Sequence, residues 1–361
     1  MNRVFINGRY LTQSITGVQR CAAETVRALD RLVVEGEYPA AEWTFTLLMP
    51  PSAPQPALQG IPSRAVGRGQ GQWWEQLQLP LHTRGGLLLS FANVAPLAAR
   101  LQCVTIHDAS VFAVPDAYRI LFRTWYRFLL PALGRRADRV LTDSRFSREE
   151  LIRWARIPES KLTVVPLAGE HILAAPADPG VLARNDLGKR PYIVAVSSGS
   201  PHKNLQGVAQ AVERAGRHDY DLVLVGGRYG GVFKDGGAES GTRIRRLGYV
   251  TDGELRALYE NAACLLYPSL YEGFGLPPLE AMACGCPVIS SNAASLPEVC
   301  GDAALYCDPR NPSDIAARIS EILDQPDLRR TLRDRALARA RQFSWSATAR
   351  AVMAVAREIV R

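Results

Sequence analysis

The run Leu265–Ile289 constrains the fold of this chain more than any other segment. It combines a short apolar strand, a turn containing Gly273 and Gly275, a helix opened by two prolines, and a second apolar run. Glycines let such a turn approach an anion closely, and the amino end of a helix favours negative charge. Glu272 precedes the turn, and Glu280 lies about one turn into the helix. The segment therefore predicts a phosphate site flanked by two carboxylates that can take sugar hydroxyls.

The composition indicates a globular protein of about two domains, with 361 residues of which 47% are hydrophobic. No apolar run approaches the roughly 18 residues of a membrane span, and the first residues lack a signal-peptide pattern, so we expect a cytoplasmic protein. Seven scattered cysteines predict reduced, buried thiols. Cys284 and Cys286 have no second pair at zinc spacing, so we predict no metal site.

The net charge of +8 favours anionic partners such as nucleotides, diphosphates or acidic lipids. The basic residues are dispersed rather than clustered, which argues against a nucleic-acid partner.

Apolar strands and helical patterns alternate along the chain in two successive series. This pattern predicts an α/β protein of two doubly wound parallel-sheet domains, whose ligands bind beyond the carboxyl ends of the strands. We expect the first domain at 1–173, a Pro-, Asp- and Ala-rich linker at 174–190, the second domain at 191–343 and a terminal helix at 344–361. A Pro/Gly/Gln-rich loop is expected between Pro50 and Gly71, and capping-box character at Ser147 predicts a helix start.

Three more residues lie where ligands are expected. Lys203, between the first strand and first helix of the second domain, could neutralise a diphosphate or be a surface lysine at a helix start. His107 ends the strand Val104–Ile106 and either points to the ligand edge or is a buried structural histidine. Gly17 begins the first helix, where its amide could approach an anion or simply start the helix.

Two apparent motifs are rejected. Asp219 and Asp221 have the spacing of a metal clamp, but they lead into an apolar strand, and we expect Asp221 to be a surface turn residue. The glycines of 226–231 do not fit the spacing of a dinucleotide fingerprint.

The segment 268–288 resembles the signature of the family-four retaining glycosyltransferases, which have the GT-B fold. The family pattern has two glutamates separated by seven residues within a long, specific frame. The chain supplies these positions of the frame: Pro268, Ser269, Glu272, Gly273, Phe274, Gly275, Pro277, Glu280, Ala281, Met282, Ala283, Gly285, Pro287 and Val288.

The resemblance implies two Rossmann-like domains facing a central cleft, with the terminal helix crossing back to the first. It implies that Glu272 and the amides of Phe274, Gly275 and Leu276 face the donor sugar and its phosphate, and that Glu280 binds the ribose. It assigns Gly17 to the donor phosphate and His107 to the transferring sugar. The expected catalytic set is then the following: His107, Lys203 and Glu272.

The implied activity is retaining transfer of a hexose from a nucleoside-diphosphate sugar, without metal or cofactor. GDP-mannose is the first expectation for the donor, followed by UDP- and dTDP-sugars. The acceptor would be a saccharide or polyprenyl-linked saccharide of a surface polysaccharide, handled at the inner face of the cell membrane. The alternatives are a non-catalytic sugar-nucleotide-binding subunit and a GT-B-like epimerase or phosphorylase.

One position departs from the family pattern. The basic residue expected five positions before Lys203 is Ser198 in this chain. Arg243 or Arg245 could replace that missing charge.

Two aromatic regions leave alternatives open. Trp73 and Trp74 could form an acceptor platform or pack in the core. Arg119, Arg123 and Arg127 recur every four residues on an apolar, aromatic helix. They predict either a helix that contacts an anionic membrane surface or a buried helix with one wet edge.

Overall fold

The computed structural model describes residues 1–227 and 243–361, with Arg243 described by its backbone alone. Contacts among these residues define two compact units. The first unit consists of Met1–Leu167 and Trp345–Arg361, and the second of Ala168–Ser344. The division falls before the expected linker 174–190, which therefore lies within the second unit.

The first unit is built on a seven-stranded sheet in the order β3-β2-β1-β4-β5-β6-β7, in which every neighbouring pair is parallel. Since parallel strands end at the same edge, residues that follow β1, β4, β5 and β6 lie along one edge of the sheet. The strands are β1 (Asn2–Asn7), β2 (Trp43–Met49), β3 (Ser63–Ala65), β4 (Leu87–Ser90), β5 (Gln102–Thr105), β6 (Arg139–Thr142) and β7 (Leu162–Val164).

The helices of the first unit include the C-terminal segment of the chain. They are α1 (Gly17–Val34), α2 (Gly71–Trp73), α3 (Ser110–Ala113), α4 (Ile120–Arg136), α5 (Arg145–Ala155) and α13 (Trp345–Val360). Helical turns at Trp74–Gln78 and Leu79–His82 extend α2, so that 71–82 forms one helical segment. The amphipathic helix α13 packs against α1, and Thr348 donates a hydrogen bond to the Pro166 carbonyl.

The second unit has six described strands in the order β10-β9-β8-β11-β12-β13, again all parallel. These strands are β8 (Tyr192–Ser197), β9 (Asp221–Gly226), β10 (Arg243–Gly248), β11 (Cys264–Tyr267), β12 (Val288–Ser291) and β13 (Ala304–Cys307). The helices are α6 (Gly180–Arg184), α7 (Leu205–Ala215), α8 (Asp252–Asn261), α9 (Leu276–Ala283), α10 (Leu296–Cys300), α11 (Pro312–Asp324) and α12 (Pro326–Ala340).

Helices cover both faces of the second sheet. Alternate residues of β8 point to opposite faces, so Tyr192 and Val194 join one buried cluster, whereas Ile193 and Ala195 join another. The first cluster includes residues of α8 and α9, and the second includes residues of α7 and α11. Strands buried on both faces explain why the sequence shows continuous apolar runs rather than alternation. The doubly wound prediction is confirmed for this unit.

The strands predicted at Val104–Ile106 and within Leu265–Ile289 are confirmed as β5, β11 and β12, but β3 and β13 were not anticipated. β3 lies inside the stretch expected to be a loop between Pro50 and Gly71. The helix α5 begins at Arg145, not at Ser147, because Ser144 is the N-cap and its side chain accepts a hydrogen bond from the Ser147 amide.

The expectation that Asp221 is a surface turn residue is wrong. Asp221 begins β9, is buried, and accepts a hydrogen bond of 2.6 Å from Nε of Arg190. Burial requires a partner for this carboxylate, and Arg190 supplies it. The rejected glycine pattern at 226–231 lies largely outside the described residues.

All seven cysteines are buried and free of disulfides. Burial raises the pKa of Cys284 to about 12, so its thiol stays protonated near neutral pH. Among the described residues, no group of three or more His, Cys, Asp or Glu side chains has a metal-binding arrangement. No helix of the described chain combines the length and hydropathy that crossing a membrane would require.

The turn after β7 tests how tightly α9 is packed. A methyl group added at Gly169 would lie 2.7 Å from the backbone carbonyl of Leu279 and 2.8 Å from the amide of Glu280. Backbone atoms cannot move aside as side-chain ends can, so we expect Gly169→Ala to lower the free energy of unfolding by about 1–3 kcal/mol.

Thermal and urea denaturation would measure that change. Gly180→Ala is the matched control, because its added methyl would meet only the mobile ends of Arg184 and Asp178. Equal stability of the two variants would contradict close packing of the turn against α9.

Candidate functional site

The carboxylate of Glu272 is the centre of a buried hydrogen-bond network at the carboxyl end of β11. Its Oε1 atom accepts hydrogen bonds from Nζ of Lys203 at 2.7 Å, the hydroxyl of Tyr267 at 2.9 Å and Oγ of Ser269 at 2.6 Å. Lys203 also donates to the Tyr267 hydroxyl at 2.6 Å. Three donors on one oxygen hold the carboxylate in a single orientation.

The network keeps Glu272 ionised. Burial alone would raise its pKa, but the positive charge of Lys203 and the hydrogen bonds from Lys203 and Ser269 outweigh burial and hold the pKa below the usual glutamate range. Lys203 thus has an internal counter-ion, and the pair carries no net charge. Of its three ammonium protons, two serve Tyr267 and Glu272, and one is left for a ligand.

Local structure fixes the position of Lys203 within this network. Lys203 ends a short 3₁₀ turn, Pro201–Lys203, and Asn204 follows in the left-handed region at φ 59° as the N-cap of α7. The Asn204 amide donates to the carbonyls of Pro268 at 3.0 Å and Pro309 at 2.7 Å. One side chain therefore connects the β8–α7 loop to the loop after β11.

The turn that follows Glu272 is held from α10. Ser295 donates hydrogen bonds to the carbonyls of Glu272 at 2.9 Å and Phe274 at 2.8 Å. Gly275 is the N-cap of α9. Its φ of 110° is a backbone conformation that residues with side chains rarely adopt.

Three backbone amides at this turn make no hydrogen bond within the described part of the chain. Pro277 and Pro278 have no N–H, and the Leu279 amide donates to the Gly275 carbonyl. The amides of Phe274, Gly275 and Leu276 find no acceptor among the residues that the structure describes. Three unbonded donors at the positive end of a helix form a suitable site for a phosphate group.

Glu280 is the fifth residue of α9 and is buried together with a histidine that the sequence did not indicate. Its Oε1 atom lies 2.9 Å from Nε2 of His171, in the helical turn Glu170–Leu173. Because Glu280 lies beyond the first turn of α9, its role is not that of an acid complementing the helix dipole. The close contact of Gly169 with α9 sets the position of this histidine.

The two glutamates share one feature. Each uses Oε1 for protein partners, and neither Oε2 atom has a hydrogen-bond partner among the described residues. Neither Oε2 atom is fully buried, so both remain accessible to a ligand. A fixed carboxylate with one open oxygen is suited to accept hydrogen bonds from ligand hydroxyl groups.

His107 lies in the first unit, and the protein uses both of its ring nitrogens. Nδ1 is 2.7 Å from the Asp143 carboxylate, and Nε2 is 3.0 Å from the Phe91 carbonyl. Since a carbonyl only accepts, Nε2 carries a proton, and the contact with Asp143 holds a second one. Burial opposes the charged imidazole, but the Asp143 carboxylate outweighs burial and raises the pKa of His107.

Gly17 lies elsewhere in the first unit, exposed at the first position of α1. Its preceding residue, Thr16, makes no side-chain capping hydrogen bond to the helix. The first amides of α1 therefore have no side-chain cap.

Comparison with known proteins identifies the family of this chain. The family described as glycosyl transferases group 1 matches residues 183–339, and glycosyltransferase family 4 matches residues 45–168. O-antigen chain mannosyltransferase B of Escherichia coli is 40% identical over 256 residues, or 67% of this chain and 66% of the relative. MMP alpha-(1->4)-mannosyltransferase of Mycolicibacterium hassiacum is 32% identical, over 74% of this chain and 67% of the relative.

This chain belongs to the family-four glycosyltransferases. It spans about two thirds of the length of the two relatives. The Anabaena protein HepE, solved with UDP and glucose, has a TM-score of 0.72 at 18% identity, covering 98% of this chain and 99% of its own. With two parallel-sheet α/β units, the fold is GT-B.

In this family-four glycosyltransferase, Ser198 stands where a basic residue is expected, and Arg245 does not replace that charge. Its guanidinium lies 3.4 Å from Asp186 and 4.0 Å from Asp221, at the amino end of the second sheet. The side chain of Arg243 lies outside the described residues. Ser198 itself donates to Oγ of Ser200 at 3.3 Å.

Sequence reasoning assigned no ligand-site role to four residues that complete these groups. Tyr267 and Ser269 precede Glu272 by five and three residues, so their place in the motif was a usable signal. His171 is 109 residues from Glu280 and Asp143 is 36 residues from His107, separations at which no local pattern reports contact.

The lowered pKa of Glu272 predicts a pH dependence of stability. Ionised Glu272 stabilises the folded state above the ordinary glutamate pKa of about 4.3, and this contribution is lost as the pH falls through the lower folded pKa. We expect the urea midpoint of the unmodified protein to fall more between about pH 6 and about pH 3 than that of Glu272→Gln, which lacks the titrating group.

Glu213→Gln, on the exposed face of α7, serves as the control and should follow the unmodified protein. Parallel curves for Glu272→Gln and the unmodified protein would contradict an ionised Glu272 in the fold.

Proposed function

We propose that this protein transfers a hexose, with mannose as the first candidate, from a nucleoside-diphosphate sugar to a saccharide or polyprenyl-linked saccharide. Transfer retains the anomeric configuration and needs no metal. The observation that carries the proposal is the pair Glu272 and Glu280, each with one open oxygen, on either side of three unbonded amides. Both relatives are named mannosyltransferases, which supports the choice of sugar, and the O-antigen chain in the name of the Escherichia coli relative supports a surface polysaccharide as product.

The charges of these protein groups determine which part of the donor each group binds. An ionised Glu272 would repel phosphate, so its open oxygen takes a hydroxyl of the sugar. The diphosphate lies instead on the amides of Phe274, Gly275 and Leu276 and on the remaining proton of Lys203. Glu280 accepts hydrogen bonds from the ribose hydroxyls, and His171 holds it in place.

In the reaction, the bond between C1 of the sugar and the phosphate oxygen breaks, and its electron pair leaves with the diphosphate. The acceptor hydroxyl bonds to C1 on the same face and gives its proton to the departing phosphate oxygen. The amides and Lys203 stabilise the developing negative charge, and the Glu272 carboxylate stabilises the oxocarbenium-like sugar. The proposal requires no protein nucleophile.

The role predicted for His107 stays a prediction. A direct hydrogen bond from its ring to the sugar would require exchange of the Phe91 carbonyl or of Asp143. Gly17 likewise stays a predicted contact of the donor phosphate.

Transfer is tested with GDP-, UDP- and dTDP-hexoses and α-mannooligosaccharide acceptors. We expect release of nucleoside diphosphate and, with GDP-α-mannose, a new α-linkage seen by NMR, with turnover persisting in EDTA. Glu272→Gln and Lys203→Ala should each lower kcat about 100-fold, the usual effect of losing one stabilising group.

Arg217→Gln, on the surface of the second unit, is the control and should keep normal turnover. A β-linked product would refute retention, and arrest by EDTA would refute metal independence. Donor binding without transfer to any acceptor would favour the non-catalytic subunit.

The His171–Glu280 pair is tested by a separate variant. His171→Phe removes the partner that orients Glu280, so we expect KM for the donor to rise about tenfold while kcat changes less, because ribose contacts persist from ground state to transition state. His171→Gln, which keeps a hydrogen-bond donor, should recover part of the affinity. A loss confined to kcat would contradict a role in ribose binding.

A further inference from the structure

Exposed apolar side chains of the first unit are concentrated in one part of the chain. Fourteen large hydrophobic residues are exposed among those described, and eight of them lie between residues 73 and 128. Scattered exposed apolar residues are normal, whereas a concentration of them indicates an interaction surface.

The helix α4 presents a regular apolar face to the outside. Leu121 is 86% exposed and Phe128 60%, and they share a helix face with Trp125, at spacings of four and seven residues. The Trp125 and Phe128 rings lie 6.1 Å apart. Leu129, Leu130 and Leu133 are buried in the core of the first unit, so α4 is anchored through its C-terminal half. α4 is therefore not a buried helix with a single wet edge.

The helical segment 71–82 repeats this arrangement. Trp73, Leu77 and Leu81 recur every four residues and are each more than half exposed. Between them, Trp74 is fully buried, and its indole donates to the Val66 carbonyl at 2.7 Å. The prediction of an aromatic platform thus holds no further than Trp73, since Trp74 belongs to the core.

A buried ion pair brings the two segments together. Glu75 lies 3.1 Å from Nε of Arg9, and the Tyr126 hydroxyl of α4 also hydrogen-bonds Arg9. The outward residues of both segments are therefore called here the apolar surface. Its members are Trp73, Leu77, Leu81, Leu121, Trp125 and Phe128.

A wider segment around these residues is basic, although residues 73–128 alone contain five arginines and three acidic residues. Residues 43–137 contain nine arginines and three acidic residues, against a net charge of +8 for the whole chain. One of the three acids, Glu75, is buried against Arg9. Arg127, exposed beside the apolar face of α4, lies 5.4 Å from the centre of the Phe112 ring.

We propose that the apolar surface docks onto an anionic phospholipid bilayer, with its apolar side chains at the acyl boundary and the flanking arginines on the headgroups. Apolar residues flanked by arginines characterise helices that lie in a membrane interface. A second copy of the chain is a poor occupant, because a symmetric contact would oppose the same arginines. The inference deepens the proposed function, since a polyprenyl-linked acceptor lies in such a bilayer.

Vesicle flotation with the whole protein tests the proposal, without donor or acceptor. We expect binding to vesicles of phosphatidylethanolamine and phosphatidylglycerol, about tenfold weaker binding to phosphatidylcholine alone, and release by high salt. Leu121→Ser combined with Phe128→Ser should lower partitioning about tenfold, and so should Arg123→Gln combined with Arg127→Gln. The matched controls are Leu173→Ser and Tyr249→Ser, which remove exposed apolar side chains of the second unit.

Circular dichroism and the donor thermal shift check that each variant is folded. Equal partitioning of both double variants and the unmodified protein would overturn the proposal, as would equal binding to neutral and anionic vesicles. Concentration-dependent dimerisation abolished by Leu121→Ser and Phe128→Ser, without vesicle binding, would assign the surface to a second copy. Loss of nucleotide-sugar turnover leaves the vesicle result unaffected, so the two proposals fail separately.

Discussion

The ion pair between Lys203 and Glu272 is the interaction on which the candidate site depends. A buried carboxylate is costly unless it is paired and hydrogen-bonded, and Glu272 meets both conditions on one oxygen. Meeting them requires the loop after β8 and the loop after β11 to stay at a fixed distance, which Asn204 secures through two carbonyls. The turn that follows is then held from α10 by Ser295. The folding of this sheet edge and the orientation of the Glu272 carboxylate therefore depend on the same contacts. A variant that loses the Lys203–Glu272 pair affects both.

The site around the pair is almost neutral, although the protein as a whole is basic. Lys203 is balanced by Glu272, and among the described residues of this site the groups left for an anion are amides and a single ammonium proton. Such donors are fixed before a ligand arrives, so they stabilise charge that develops during a reaction without first reorganising. Arg245 is engaged with Asp186 and Asp221 at the amino end of the sheet and adds nothing here. Because position 198 is a serine, the proposed stabilisation of a leaving diphosphate depends on the backbone amides and on Lys203.

The strands of both sheets could be predicted because parallel strands buried on two faces produce continuous apolar runs, as β8 and β11 do. Two exceptions, β3 and β13, are short and contain polar or small residues, so their pairing depends on neighbouring strands rather than on their own pattern. The motif likewise located Glu272, Glu280 and the open amides, because all lie within one turn and one helix. It could not indicate that Glu272 neutralises Lys203 or that His171 holds Glu280, because those contacts join distant segments. The roles assigned to these residues on resemblance remain predictions.

The two units use their buried charges in different ways. In the first, Arg9 with Glu75 and His107 with Asp143 each lie at the carboxyl edge of the sheet, and both pairs are internally compensated. Glu75 is fully enclosed, and both ring nitrogens of His107 are within hydrogen-bond distance of protein oxygens. In α4, Arg123 and the exposed Arg127 are interspersed with the exposed apolar residues of that helix. In the second unit, by contrast, Glu272 and Glu280 each keep one carboxylate oxygen open. The second unit therefore offers fixed carboxylate oxygens suited to a small polar ligand, whereas the first unit offers the exposed apolar residues and arginines on which the proposed bilayer contact rests.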